Sequence, residues 1–190
     1  MARARIWLLN FDADDELAGP RGYTPRAALL ERSGALRAKL TGLVPPGDEI
    51  IDERVVTRAP EHEGRAFCPT PRAIRAWLDR GAVVPLAPSL ETLRRVNHRA
   101  FSARLGHSLP GARFVETAGE LASVLAGGAG PWLLKRAFGF AGRGRQRLRS
   151  NEVDAGVEPF VRASFTAGHG LLAEPWVDLV AEFGLHGFIS

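Results

Sequence analysis

Apolar positions along the chain follow two spacings. Short unbroken apolar runs predict strands, and apolar residues three or four apart predict helices. Arg5–Asn10 is too short for a helix and reads as a buried strand. Thr24-Pro25 offers a helix start, with Thr as N-cap and Pro at the first position. Leu29, Leu30, Leu36 and Leu40 follow at near-helical spacing, and Gly42 gives the stop. Glu49–Val56, with Ile50, Ile51, Val55 and Val56, predicts a second strand. Arg58–Pro69 has no period and predicts a loop in which His62 is an exposed residue without function. Thr70-Pro71 repeats the start signal for a helix facing inward through Ile74, Trp77 and Leu78 and stopping at Gly81. Ala82–Leu86 predicts a short buried strand. Ser89 then caps a third helix, with Glu91 in its first turn, that runs through Leu90, Leu93, Val96, Phe101 and Leu105 to Gly106. Alternating strands and helices of this kind predict a small parallel α/β sheet.

The pattern changes near Leu109-Pro110-Gly111. Arg113-Phe114-Val115 predicts a strand, and Thr117-Ala118-Gly119-Glu120 is a capping box opening a helix that carries Leu121, Val124 and Leu125. Pro131–Arg149 then reads as strand, glycine-rich turn, strand. It starts on Trp132-Leu133-Leu134, turns through Gly139, Gly142 and Gly144, and leaves on alternating residues from Arg145 to Arg149. Glu152–Phe165 fits a loose helix, His169–Val177 a strand broken by Pro175, and Val180–Ser190 a further strand.

Composition narrows the function classes. The 190 residues suffice for one or two domains with a real core. No apolar run approaches the roughly 20 residues of a membrane helix. The basic start followed by Ile6–Asn10 meets Asp12, Asp14, Asp15 and Glu16 without a small-residue cleavage site, so a first strand is a better reading than a signal peptide. One cysteine, Cys68, excludes an internal disulfide and fits a cytoplasmic location. The net charge of +4 and pI near 10.1 reflect arginines spread along the chain, dense only at Arg143, Arg145, Arg147 and Arg149.

The acidic run from Asp12 is not a calcium loop, because Leu17 and Tyr23 stand where Gly and a carboxylate are required. It predicts a solvated loop. The candidate chemistry lies in the hairpin. Of 25 Lys and Arg residues only Lys39 and Lys135 are lysines, and Lys135 sits at the end of an apolar strand. The glycines after it let backbone N–H groups approach a ligand closely. A P-loop would place the lysine after the glycines, and a dinucleotide fingerprint would place GxGxxG before a helix, so both are excluded by order. A lysine ahead of a flexible glycine flap suits a loop that closes over phosphates. His169, His186 and Cys68 lack partners for a triad or metal site, and Trp132 and Trp176 read as core.

LLKRAFGFAGRG resembles the lysine-and-glycine-loop hairpin of the ATP-grasp superfamily, LLAEPWV its adenine-contacting hinge strand, and AEFGLHGFIS the segment whose Glu meets the ribose. The resemblance runs from about Ile6 to the last residue. It implies an α/β architecture: a small parallel Rossmann-like pre-ATP-grasp domain over 1–108, then an incomplete α+β ATP-grasp domain over 109–190. The glycine-flap subdomain would reach about 168, with the start of a second subdomain at 169–190. By this resemblance Lys135 contacts the nucleotide phosphates, and Phe138, Gly139, Ala141, Gly142 and Gly144 form the flap. Glu174 receives the adenine amino group, Trp176 and Val177 give hinge backbone contacts, and Glu182 holds ribose. Arg99 stands where many members carry a phosphate-contacting lysine, a change that alters the geometry.

The implied function is the ATP-binding portion of a ligase that activates a carboxylate as an acyl phosphate for attack by an amine or other nucleophile. Its ligand would be ATP, with Mg2+, a small carboxylate and a nucleophile as partners in the complete enzyme, and a homo-oligomer is compatible. Family members take their metal ligands from later strands, and no acidic residue follows Glu182 here. The expectation is therefore that metal ligands lie outside this chain, which alone would be catalytically incompetent. Two alternatives stay open. One is a non-catalytic nucleotide-binding or interaction module; the other is an arginine-rich nucleic-acid binder using Arg143–Arg149, against which the lack of interleaved aromatics counts.

Overall fold

The computed structural model describes residues 3–19, 22–106, 108–139 and 142–178. Two sheets organise them. The first is a three-stranded parallel sheet of order β2-β1-β3, built from β1 (Arg5–Leu8), β2 (Glu49–Ile50) and β3 (Glu63–Ala66). The second is antiparallel, of order β4-β7-β5-β6, built from β4 (Arg113–Val115), β5 (Trp132–Arg136), β6 (Arg145–Leu148) and β7 (Leu171–Pro175). A small parallel sheet followed by a separate α+β unit is the architecture the sequence predicted.

Helices α1 (Ala13–Ala18) and α2 (Ala27–Leu40) lie between β1 and β2, and α3 (Pro71–Asp79) follows β3. Thr70 caps α3, its hydroxyl accepting from the Ala73 N–H at 3.4 Å, with Pro71 in the first turn. The inward face of α3 carries Ala73, Ala76 and Trp77 onto Ile6 and Leu8 of β1. Trp77 is wholly buried, a position whose truncation to alanine costs about 3–5 kcal/mol. Leu78, expected on the same face, is 56% exposed because α3 turns it to the far side. The indole reaches β3 at Gly64, where an added Cβ would stand 2.6 Å from Trp77 Cε2.

Several sequence expectations are corrected. The acidic run is not a solvated loop: it forms α1, with Asp12 and Glu16 buried. Arg72 at the start of α3 accounts for this, pairing with Asp12, with Glu16 at 3.5 Å and with Glu53 at 2.6 Å, while Tyr23 donates to Asp12 at 2.8 Å. Arg58–Pro69, expected as a loop, supplies β3, whose full-length register with β1 gives a strand to residues of weak β propensity. His62 is half-buried there, and its Nδ1 is buried with no hydrogen-bond partner. Glu49–Val56 yields only Glu49–Ile50 as strand, and Ala82–Leu86 only a bridge from Val83 to Glu63, because Pro85 ends the pairing. The helix expected from Leu90 to Leu105 breaks at His98, whose extended backbone separates α4 (Leu90–Asn97) from α5 (Arg99–Arg104) and whose Nδ1 accepts from the Ala100 N–H at 3.2 Å.

Helices α6 (Ala118–Ala126) and α7 (Glu158–Thr166) cover one face of the second sheet. The predicted capping box opens α6, with the Glu120 N–H donating to Thr117 at 3.1 Å, while the Glu120 carboxylate accepts from the Glu116 N–H at 2.7 Å. Trp132, Leu134, Leu148, Leu171 and Ala173 point into that core with Leu121, Leu125, Val157 and Val161. Strand alternation therefore turns the intervening residues to the opposite face.

Candidate functional site

The free face of the second sheet is set by register. Lys135 stands opposite Leu172 on one side and Arg145 on the other, and Leu133 stands opposite Glu174 and Arg147. Directly opposed residues share a face, so Leu133, Lys135, Arg145, Arg147, Leu172 and Glu174 form one surface. A cavity of about 810 Å³ opens on it. It is lined by Leu133 and Leu172 from the sheet, by Leu105, Leu109 and Pro110, and by Pro175, Trp176, Val177 and Asp178. This size lies within the range of small-molecule sites.

Lys135 and Glu174 meet as an ion pair running diagonally across β5 and β7, with side-chain exposures of 24% and 14%. Trp176 is not core but half-buried at the rim. Its backbone N–H donates to Pro131 O at 2.9 Å, its indole N–H donates to Asp178 at 3.1 Å, and the Arg147 guanidinium lies 3.9 Å from its ring centroid. Trp132, by contrast, is core as expected.

The glycine turn is anchored at its base. The Arg136 N–H donates to Gly144 O at 2.8 Å. Arg99 lines the cavity, but its N–H groups are aimed at the turn: Nε donates to Arg136 O at 2.9 Å and Nη2 to Gly139 O at 2.8 Å, while its backbone N–H donates to Ala137 O at 2.9 Å. A Cβ on Gly139 would stand 2.8 Å from Arg143 O, so the two limbs of the turn approach too closely there for any side chain. Gly142 has φ of +76°, a left-handed conformation that glycine adopts readily. The Arg143 guanidinium donates to Phe11 O, beyond the C-terminal end of β1.

Phe138 points away from the cavity. It is buried edge-on between His98 and His169, with ring centroids 5.1 Å and 5.6 Å away. Burial is the largest influence on both histidines and pushes their pKa values down, aided at His98 by His169 and at His169 by Arg94. Burial likewise pushes the Cys68 thiol up to about 11, leaving it protonated and unreactive at neutral pH.

The structure thus gathers Lys135, Glu174, Trp176, Val177 and Arg99 around one cavity, with Gly139, Gly142 and Gly144 in the adjoining turn. Ala141 and Glu182, the remaining predicted site residues, lie outside the described residues, as does the strand expected over Val180–Ser190. Arg145, Arg147 and Asp178 were missed. The alternation Arg145-Gln146-Arg147-Leu148 was the available signal, since it places both arginines on the face that Leu148 avoids.

Among solved structures, D-alanyl-alanine synthetase A from Vibrio cholerae is similar over 94% of this chain and 60% of its own, with a TM-score of 0.50 and 14% identity. The chain has an ATP-grasp fold. A RimK domain ATP-grasp protein from Sphaerobacter thermophilus aligns over 92% of this chain and 65% of its own (TM-score 0.45, 15% identity). N5-carboxyaminoimidazole synthetase from Staphylococcus aureus, complexed with ADP, aligns over 92% and 48% (TM-score 0.42, 11% identity). This chain spans less than two thirds of the length of each of these proteins. No protein-family description and no curated protein matches the sequence. No helix among the described residues is long and apolar enough to cross a membrane.

Proposed function

We propose that this chain binds ATP in the cavity beside Lys135, as the nucleotide-binding part of a ligase that activates a carboxylate. The observation that carries the reading is that Lys135, on the strand leading into the glycine turn, and Glu174, from a separate stretch, meet as an ion pair in the lining of one cavity of about 810 Å³. Apolar walls from Leu109, Leu133 and Leu172 suit an adenine ring, and the cationic end near Lys135 and Arg145 suits its phosphates. In this reading Lys135 contacts the phosphates while Gly139, Ala141, Gly142 and Gly144 cover them. Phe138 holds the base of that cover through its packing on His98 and His169. Arg99 acts chiefly by fixing the turn through the carbonyls of Arg136 and Gly139. Glu174 turns from Lys135 toward the adenine amino group, Trp176 and Val177 offer hinge backbone groups, and Glu182 is assigned to ribose.

Residues 1–108 and 109–190 are proposed as two units, in keeping with the two separate sheets. The ligase would transfer the terminal phosphoryl group to a carboxylate oxygen, giving an acyl phosphate that an amine or another nucleophile attacks with loss of phosphate. Magnesium would offset charge on the triphosphate. The described carboxylates of the cavity do not suit it, since Glu174 is engaged by Lys135 and Asp178 by Trp176, and no step is assigned through it. Cytoplasmic location is part of the same proposal, consistent with the lone buried thiol.

The arginines from 143 onward have different surroundings, although Arg145 and Arg147 share a face of the sheet. Arg143 turns to Phe11 O, Arg145 faces the cavity and Arg147 covers Trp176. This disposition favours the nucleotide reading over nucleic-acid binding. Calorimetric titration with ATP tests it: saturable binding that is lost in Lys135→Ala is expected, and equal ATP affinity in that variant overturns the assignment.

A further inference from the structure

We propose that Arg145 grips the anionic end of the cavity's ligand, an inference that rests on the nucleotide reading above and makes the ligand a phosphoanhydride rather than a nucleoside. Three of the four cations at or beside the cavity are already engaged. Lys135 is ion-paired with Glu174. Arg99 directs Nε and Nη2 to the carbonyls of Arg136 and Gly139. Arg147 lies against the Trp176 ring. Arg145 alone of the four has no hydrogen-bond, ion-pair or ring partner among the described residues.

Its position is built rather than incidental. Arg145 is the register partner of Lys135 across the β5–β6 hairpin, which places the two side chains about 5 Å apart at Cβ on the cavity face. Its guanidinium lies over the backbone of Gly142, where an added Cβ would stand 3.0 Å from Arg145 Cζ and from Nη2. Gly142 therefore serves the side chain as well as the turn: it leaves the space that seats the fork beside the flap. A planar guanidinium offers paired N–H donors matched to two phosphate oxygens. A ligand phosphate would meet this free fork and then draw Lys135 away from Glu174, releasing the carboxylate for the opposite end of the ligand. Arg145 thus discriminates by phosphate, and the apolar walls by base.

The test titrates the whole chain and its Arg145→Ala and Arg145→Lys variants with ATP, inorganic tripolyphosphate and adenosine. Arg145→Ala is expected to lose roughly tenfold to a hundredfold in affinity for ATP and for tripolyphosphate, the range of a hydrogen-bonded charged contact. Adenosine affinity should not change, and Arg145→Lys should recover part of the loss. If the parent chain binds ATP and Arg145→Ala binds it equally well, the Arg145 assignment falls while the nucleotide reading stands. An equal loss for adenosine makes the residue structural and also overturns it. A parent chain that binds none of the three ligands removes the nucleotide reading itself, and Arg145's role with it.

Discussion

Replacing Arg72 by alanine is expected to destabilise the leading sheet by about 3 kcal/mol. The guanidinium is the shared partner of Asp12, Glu16 and Glu53, whose side chains are 0%, 3% and 19% exposed. Its removal leaves carboxylates facing one another with no cation, and breaking a buried pair from one side costs about 3–5 kcal/mol. The lower end applies because Glu53 and Arg72 retain some contact with water. At this chain length the loss corresponds to a fall of roughly 6–12 °C in Tm. Urea unfolding at pH 7 and pH 5 provides the assay. Burial already pushes the Glu53 carboxyl up, with Arg72 the largest opposing influence, so losing Arg72 pushes it further. Acidification should therefore relieve the variant more than the parent and narrow the gap between them. Arg37→Ala serves as a control: its partner Asp52 is 3.5 Å away and Arg37 is 38% exposed, so about 0.5 kcal/mol or less is expected. A loss below about 1 kcal/mol in Arg72→Ala, or a gap that does not narrow at pH 5, would refute this reasoning.

Three further outcomes follow. Gly64→Ala should cost at least about 1–3 kcal/mol, because the new Cβ meets the buried Trp77 ring, and an unchanged urea midpoint would show that the ring can move aside. Acidification should loosen the packing around Phe138. With folded pKa values pushed down at His98 and His169, the unfolded chain binds more protons, so their stabilising contribution is complete above about pH 6.5 and declines as pH falls through and below that value. His169→Gln should show a shallower loss of stability between pH 7.5 and pH 5.5, and an unaltered slope would count against the assignment. Glu174→Gln removes the carboxylate that holds Lys135 and should weaken adenosine binding more than tripolyphosphate binding; calorimetry showing the reverse would place the base elsewhere.

The hairpin, strand β7 and the capped helices were legible because each is written locally. Thr70-Pro71, Thr117-Ala118-Gly119-Glu120 and the apolar run Trp132–Leu134 specify their own geometry within a few residues. The failures are contacts of long range. Nothing near Asp12 announces Arg72, which lies 60 residues away, so the acidic run looked solvated. Nothing within Glu63–Ala66 announces a strand, which the register with β1 imposes. The candidate site falls between these cases. Lys135 and Glu174 were readable singly from their motifs, but their pairing depends on the β5–β7 register, and the place of Arg145 on the cavity face depends on the β5–β6 register.

Amide hydrogen exchange with and without ATP tests the central claim most directly, because it reports where the ligand sits. Added protection is expected at 132–139, 142–148 and 171–178, the strands and turn that frame the cavity, with α2 and α3 unchanged. Protection confined to the first sheet, or none at saturating ATP, would contradict the account.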